Sequence, residues 1–220
     1  MDLTTLIVLF IYLLGVVIVF NIMGRSLKSF LTIGLHQKHF NQQLTVQQLT
    51  EQVSFKFKFS DYYHHEPLPN LTLEITNNSL EYSFTLLCEQ MKWLEPGEKP
   101  KKAIRWISGM TRELTAFQLR NVIPPQETVP TIITLSDRLK ANDAGILMMD
   151  SPLIKYEDLA TSFEEEQTYQ LSLCLEKVAA NQRSAVNPSV HQLTCEFQIK
   201  RLPLLTALDW RPRDHKKKKK

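Results

Sequence analysis

Residues Thr4 to Met23 read TTLIVLFIYLLGVVIVFNIM, a run of 20 positions without a charge. At a rise of about 1.5 Å per residue, such a run makes a helix about 30 Å long, the thickness of a bilayer's hydrocarbon core. Near-continuous Ile, Val, Leu and Phe leave no polar face, so the helix is ill suited to the surface of a water-soluble domain. A cleavable secretion signal would want a basic start, an apolar core of about 7–15 residues and a small-x-small cleavage site. Here Asp2 is the only charge ahead of the run, the run is too long, and Asn21-Ile22-Met23 is a poor cleavage site. The expectation is one transmembrane helix over 4–23, preceded by a short tail, 1–3.

Positive residues flank such helices on the cytoplasmic side. Arg25, Lys28 and Lys38 follow the run and none precedes it. This predicts a single-pass signal-anchor with its C-terminal domain in the cytoplasm. The three cysteines, Cys88, Cys174 and Cys195, agree with that side. Their number and wide spacing make neither a disulfide framework nor a zinc pattern, and free thiols suit a reducing compartment. Asn70-Leu71-Thr72 and Asn77-Asn78-Ser79 match the glycosylation acceptor pattern but would never be modified in this topology.

Residues 24–50 read as a juxtamembrane amphipathic segment or linker. At helical spacing, Leu27, Phe30, Leu31 and Leu35 share one face, and Arg25, Lys28, Thr32, His36 and His39 share another. That suits either a helix lying at the membrane surface or a frayed continuation of the transmembrane helix. His36 and His39 could face a metal ion together, but no further ligand is visible nearby, and a wetted polar face accounts for them.

From residue 51 the period changes to two. Val53, Phe55, Phe57 and Phe59 alternate with Ser54, Lys56, Lys58 and Ser60, the pattern of a strand with one buried face. Leu71, Leu73 and Ile75 repeat it. Asn77-Asn78 reads as a tight turn, with Leu80, Tyr82, Phe84, Leu86 and Cys88 as the return strand of a hairpin. Tyr169 to Leu175 and Leu193 to Ile199 alternate in the same way. Weaker strand candidates are Ala103–Ile107, Leu114–Val122, Thr131–Leu135 and Ile146–Met149, punctuated by Pro96, Pro100, Pro124-Pro125 and Pro130. Leu153–Glu166 has helical spacing instead. The fold class expected is mainly β: an antiparallel, immunoglobulin-like β-sandwich over 51–210 with one short helix, the alternative being α+β.

No phosphate loop, GxGxxG, GxSxG, HExxH or paired CxxC occurs, and the chain has only 6 glycines. Nothing therefore points to a cofactor or to catalytic residues. The densest polar cluster is Asp61-Tyr62-Tyr63-His64-His65-Glu66. Asp61, His64, His65 and Glu66 have side chains that could ligate a metal or form an acid–base pair. They also sit between two strands, where polar loop tips are ordinary.

Charge is segregated. Residues 41–210 hold 16 basic and 21 acidic side chains, whereas residues 211–220 hold Arg211, Arg213 and Lys216, Lys217, Lys218, Lys219 and Lys220 against Asp214. A nucleic-acid-binding domain would carry its positive charge on the fold itself, so no nucleic acid partner is expected. The basic tail suits anionic lipid headgroups, each lysine near such a surface adding about 1 kcal/mol. Arg25 and Lys28 would join it at the membrane.

Together these readings predict a membrane-anchored, non-enzymatic interaction module. Its partners would be the lipid bilayer, anionic headgroups and another protein of a membrane complex, which it would serve as an accessory or assembly subunit. The alternative is a membrane-tethered enzyme or metal-binding domain built on Asp61, His64, His65 and Glu66.

Overall fold

The computed structural model describes residues 3–27, 30–111, 120–179 and 188–202, without the side chains of 22–27. The apolar run forms helix α1 (Leu3–Leu27). Its stretch from Leu3 to Asn21 is long and apolar enough to cross a membrane, and none of it is buried against the rest of the chain.

Only 3 residues separate α1 from the next element, β1 (Leu31–Leu35). This corrects the helical reading of the 24–50 segment. Leu31 and Ile33 also fit a period of two, and both are buried while Thr32 is not. A short segment with two β-branched residues satisfies a strand as readily as a helix, and a waiting sheet edge decides between them. The helix in this region lies further on. It is α2 (Gln37–Val46), which buries Phe40 and Leu44, one turn apart on one face. The folded domain therefore begins at β1, well before residue 51.

The strands that follow are β2 (Val53–Lys58), β3 (Leu71–Asn77), β4 (Tyr82–Leu87), β5 (Lys92–Leu94), β6 (Lys101–Trp106), β7 (Arg120–Ile123) and β8 (Thr128–Leu135). A small hairpin, β9 (Leu139–Ala141) with β10 (Leu147–Met149), precedes helix α3 (Tyr156–Glu164). Two long strands, β11 (Thr168–Ala179) and β12 (Ser189–Arg201), close the described chain. The domain is mainly β and antiparallel, as the alternating segments led one to expect. The short helix expected over Leu153–Glu166 is α3. Of the weaker strand candidates, Leu114–Val122 lies partly outside the described residues, and its described end is β7.

The main sheet runs β1-β12-β11-β5-β6-β8-β3-β2, with β4 pairing both β11 and β7. The path curls back on itself: an antiparallel bridge joins Leu31 of β1 to Tyr63, just after β2. The alternating residues meet inside. Leu71, Leu73 and Ile75 are fully buried, and Phe197 of β12 packs edge-on against Phe57 of β2 with ring centroids 5.1 Å apart. Trp93, at 1% exposure, stacks between Tyr169 and Phe197.

The hairpin expected at Asn77-Asn78 does not form. β3 pairs with β2 and β8, and β4 pairs with β11 and β7. Neither asparagine takes a left-handed backbone. Asn77 is instead fully buried. Its side-chain nitrogen donates to the carbonyls of Tyr82 (2.7 Å) and Ile123 (3.1 Å), and its side-chain oxygen accepts from the Ser79 amide (2.9 Å). It carries the chain from β3 across to β4 through side-chain bonds, the same chemistry that makes asparagine a turn former.

Candidate functional site

Of the residues expected to touch membrane, Arg25 lies in the last turns of α1. Lys28 and Lys216 to Lys220 lie outside the described residues, as does Trp210.

The segment Asp61–Glu66 is built around Tyr63. That residue is 3% exposed, and its hydroxyl accepts a hydrogen bond from the Ser60 amide at 3.2 Å. Burial pushes the Tyr63 phenol above its usual pKa. The two histidines that follow this anchor engage rings. His64 stacks on Phe30 at 4.4 Å, and His65, at φ 55°, approaches His64 at 4.5 Å and Tyr156 at 4.8 Å. Asp61, His65 and Glu66 are exposed. The structure does not gather the donor atoms of Asp61, His64, His65 and Glu66 into a compact ligand set.

It gathers a different set. Among the described residues, the one group of three His, Cys, Asp or Glu side chains with donor atoms within 4.8 Å of one another is His36, His39 and Glu196. The backbone explains the meeting. β1 and β12 pair in a register that ends with Leu35 opposite Phe197, and the His36 amide extends the ladder by donating to the Glu196 carbonyl at 2.8 Å. Directly opposed residues in a ladder carry their Cβ atoms about 4.5–5.5 Å apart, on one face. His36 is also the residue that caps the start of α2, so His39 follows within the first turn on the same side. His36 Nδ1 lies 3.4 Å from Glu196 Oε2, and His39 Nδ1 lies 3.2 Å from the same oxygen.

Beyond Glu196 toward its start, β12 has no strand on its β1 side, and α2 covers it. Gln43 donates its amide to the Thr194 carbonyl and accepts from the Thr194 N–H, both at 2.8 Å. Gln47 donates to the Gln192 carbonyl at 2.7 Å. Two glutamine side chains thus satisfy the free edge as a neighbouring strand would, which fixes α2 and its histidines against β12.

A separate cleft of about 400 Å³ opens between α3 and the turn after β5. Its lining includes Glu95, Glu98, Arg138, Lys155, Asp158 and Tyr169. Glu95, Glu98 and Arg138 are already paired. Lys101 holds Glu95 and Glu98 together, and Arg138 lies 3.7 Å from Glu95. Burial works against the charge on Lys101, but its hydrogen bonds to the two glutamates outweigh this and raise its pKa. Burial pushes the Tyr169 phenol, which pairs with Ser162 at 3.0 Å, up to about 12.

Of the site residues, the sequence missed Glu196. It lies in an alternating strand as an outward-facing acid like many others, and nothing local links it to His36 and His39. Compared with protein-family models, curated proteins and solved structures, the chain matches none.

Proposed function

We propose that this chain is a membrane-anchored, non-enzymatic interaction module whose β domain binds another protein of a membrane complex, as an accessory or assembly subunit. One observation carries the reading: α1, whose stretch from Leu3 to Asn21 is long and apolar enough to cross a membrane, ends only 3 residues before β1, a strand of the domain's own sheet. Three residues reach at most about 10 Å. A domain joined so closely to a bilayer-spanning helix is held at a set height above the lipid, and its surface is presented to neighbours in the same membrane rather than to bulk solution. A free enzyme domain has no such need for a short connection.

Arg25 and Lys28 after the span support a cytoplasmic orientation for the domain, and three cysteines that are all free and buried agree with it. On that side, Lys216 to Lys220 can reach anionic headgroups of the same leaflet. Photo-crosslinking from exposed positions such as Leu80 and Val122, in native membranes, tests the module reading. Crosslinks to one defined membrane protein from a subset of positions are expected. Uniform crosslinking to lipid alone from every position would reject it. For orientation, Leu80→Cys should resist an impermeant maleimide in intact cells, and labelling there would reverse the topology.

A further inference from the structure

The geometry points to a site for one divalent transition-metal ion of the zinc class, held by His36 Nδ1, His39 Nδ1 and Glu196 Oε2. Three observations converge on it. The first is spacing. In a tetrahedral site with Zn–N and Zn–O bonds of about 2.0–2.1 Å, neighbouring donor atoms stand about 3.3–3.4 Å apart. The two histidine nitrogens lie 3.4 and 3.2 Å from the glutamate oxygen. Two of the three donor–donor distances therefore match the edges of such a tetrahedron, and all three lie within 4.8 Å.

The second is an orphaned atom. His39 Nδ1 has no solvent access and no hydrogen-bond partner among the described residues. It is close enough to Glu196 to count as an ion-pair contact, but not angled to hydrogen-bond with it. A buried ring nitrogen without a partner costs free energy, and a metal ion on its lone pair would remove that cost.

The third is rigidity. The His36 amide bond to Glu196, the Gln43 pair on Thr194 and the Gln47 bond to Gln192 hold the start of α2 against β12 before any ion binds. Only side-chain rotation remains to be ordered. Two imidazoles and one carboxylate suit zinc, copper or nickel, whereas magnesium and calcium prefer all-oxygen sets. The side chains of His36 and His39 are each 41% exposed and that of Glu196 25%, so the cluster lies at the surface, where a water or a partner's side chain would supply the fourth ligand.

The test uses the full-length chain in detergent, stripped with chelator, then titrated with Zn²⁺ against a chromophoric competitor and separately with Co²⁺ by visible absorption. One equivalent per chain is expected, with Co²⁺ bands of a nitrogen–oxygen site and no sulfur charge-transfer band. Loss of an outer hydrogen-bond partner alone lowers metal affinity roughly 10–100-fold, so His39→Asn and Glu196→Gln should each weaken Zn²⁺ binding by at least about tenfold. His36→Asn should do the same while keeping the backbone bond to Glu196. Replacing His64 and His65 together by Asn should leave the affinity unchanged. Failure of the wild-type chain to bind overturns the proposal and leaves the three residues as a His–Glu–His charge cluster. Sulfur bands, or affinity that follows the His64/His65 pair, would overturn it as well. The Co²⁺ spectrum of the wild-type chain reads the donor atoms directly, so the test stands even where a variant fails to fold.

Discussion

Leu31 and Tyr63 exchange two backbone hydrogen bonds, Leu31 N–H to the Tyr63 carbonyl at 3.0 Å and Tyr63 N–H to the Leu31 carbonyl at 2.7 Å. Both are 3% exposed. This bridge ties the strand that receives the membrane helix to the segment leaving β2, the other end of the sheet path. The polar cluster singled out in the sequence therefore encloses a structural seal at its centre.

Removing the ring that makes the seal should be costly. Tyr63→Ala should destabilise the chain by about 3–5 kcal/mol, as loss of a buried aromatic does. Tyr63→Phe loses only the hydroxyl's bond to the Ser60 amide and should cost about 1 kcal/mol. Urea denaturation of both variants checks this. Equal losses would mean that the hydroxyl, rather than packing, is what counts.

The domain's start is a second point of decision. A chain beginning at Phe30 keeps β1, Leu31, Ile33 and Phe40 and should fold without the anchor. One beginning at Gln42 lacks all of them, although Phe40 is 2% exposed and packs edge-on against Phe55 at 5.2 Å. It also uncovers the β12 edge that β1 occupies. Circular dichroism and thermal melting should show a cooperative β-rich domain for the longer chain and a strongly destabilised or aggregating one for the shorter. A stable fold from Gln42 would mean that β1 is an accessory strand.

Phe57 and Lys58 sit next to each other and point to opposite faces of β2. Phe57 packs against Phe197 and Phe59. An unpaired charge there costs several kcal/mol, set against a typical total stability of about 5–15 kcal/mol. Phe57→Asp should unfold the domain. Lys58 is exposed and pairs with Glu74. Lys58→Asp sets like charges side by side in solvent and should cost no more than about 1 kcal/mol. Denaturant midpoints compare the two, and similar losses would place Phe57 outside the core.

Alkaline pH should destabilise the fold. Burial pushes the Cys88 thiol from 9.0 to about 11 and the Tyr169 phenol from 10.0 to about 12. Above pH 9 the unfolded chain has given up protons that the folded chain keeps. The contribution of each group is therefore whole below its unfolded pKa and lost as pH rises through its folded one. For Cys88 the loss is on the order of 2 kcal/mol between about pH 9 and 11. Denaturation midpoints at pH 8 and pH 11 should differ, and Cys88→Ala should reduce the difference. A flat profile would show that the thiol ionises as freely in the fold as in the unfolded chain. Native Cys88 and Cys195 should also resist thiol reagents at pH 8, since both are buried in their protonated form.

The anchor and most strands could be read locally because burial leaves a periodic mark. An uncharged 20-residue run fits a helix in lipid, and Val53 to Phe59 or Leu71 to Ile75 can present one apolar face only as strands. Where two periods fit the same residues, as at Leu31 to Leu35, the sequence was silent, and pairing with β12 settled the matter. The Asn77-Asn78 signal was real as turn chemistry, but turn chemistry does not say which strand comes next to which.

What the sequence determined alone, then, was the apolar helix, the mainly β class and the inward face of each strand, all of them consequences of side-chain spacing within a few residues. Which strands are neighbours was decided by tertiary structure, and so was the meeting of His36 and His39 with Glu196. The β1–β12 register and the seating of α2 by Gln43 and Gln47 place that carboxylate, and both depend on contacts between segments more than a hundred residues apart. Local periodicity records that a residue is buried or exposed; only the folded register records what lies opposite it.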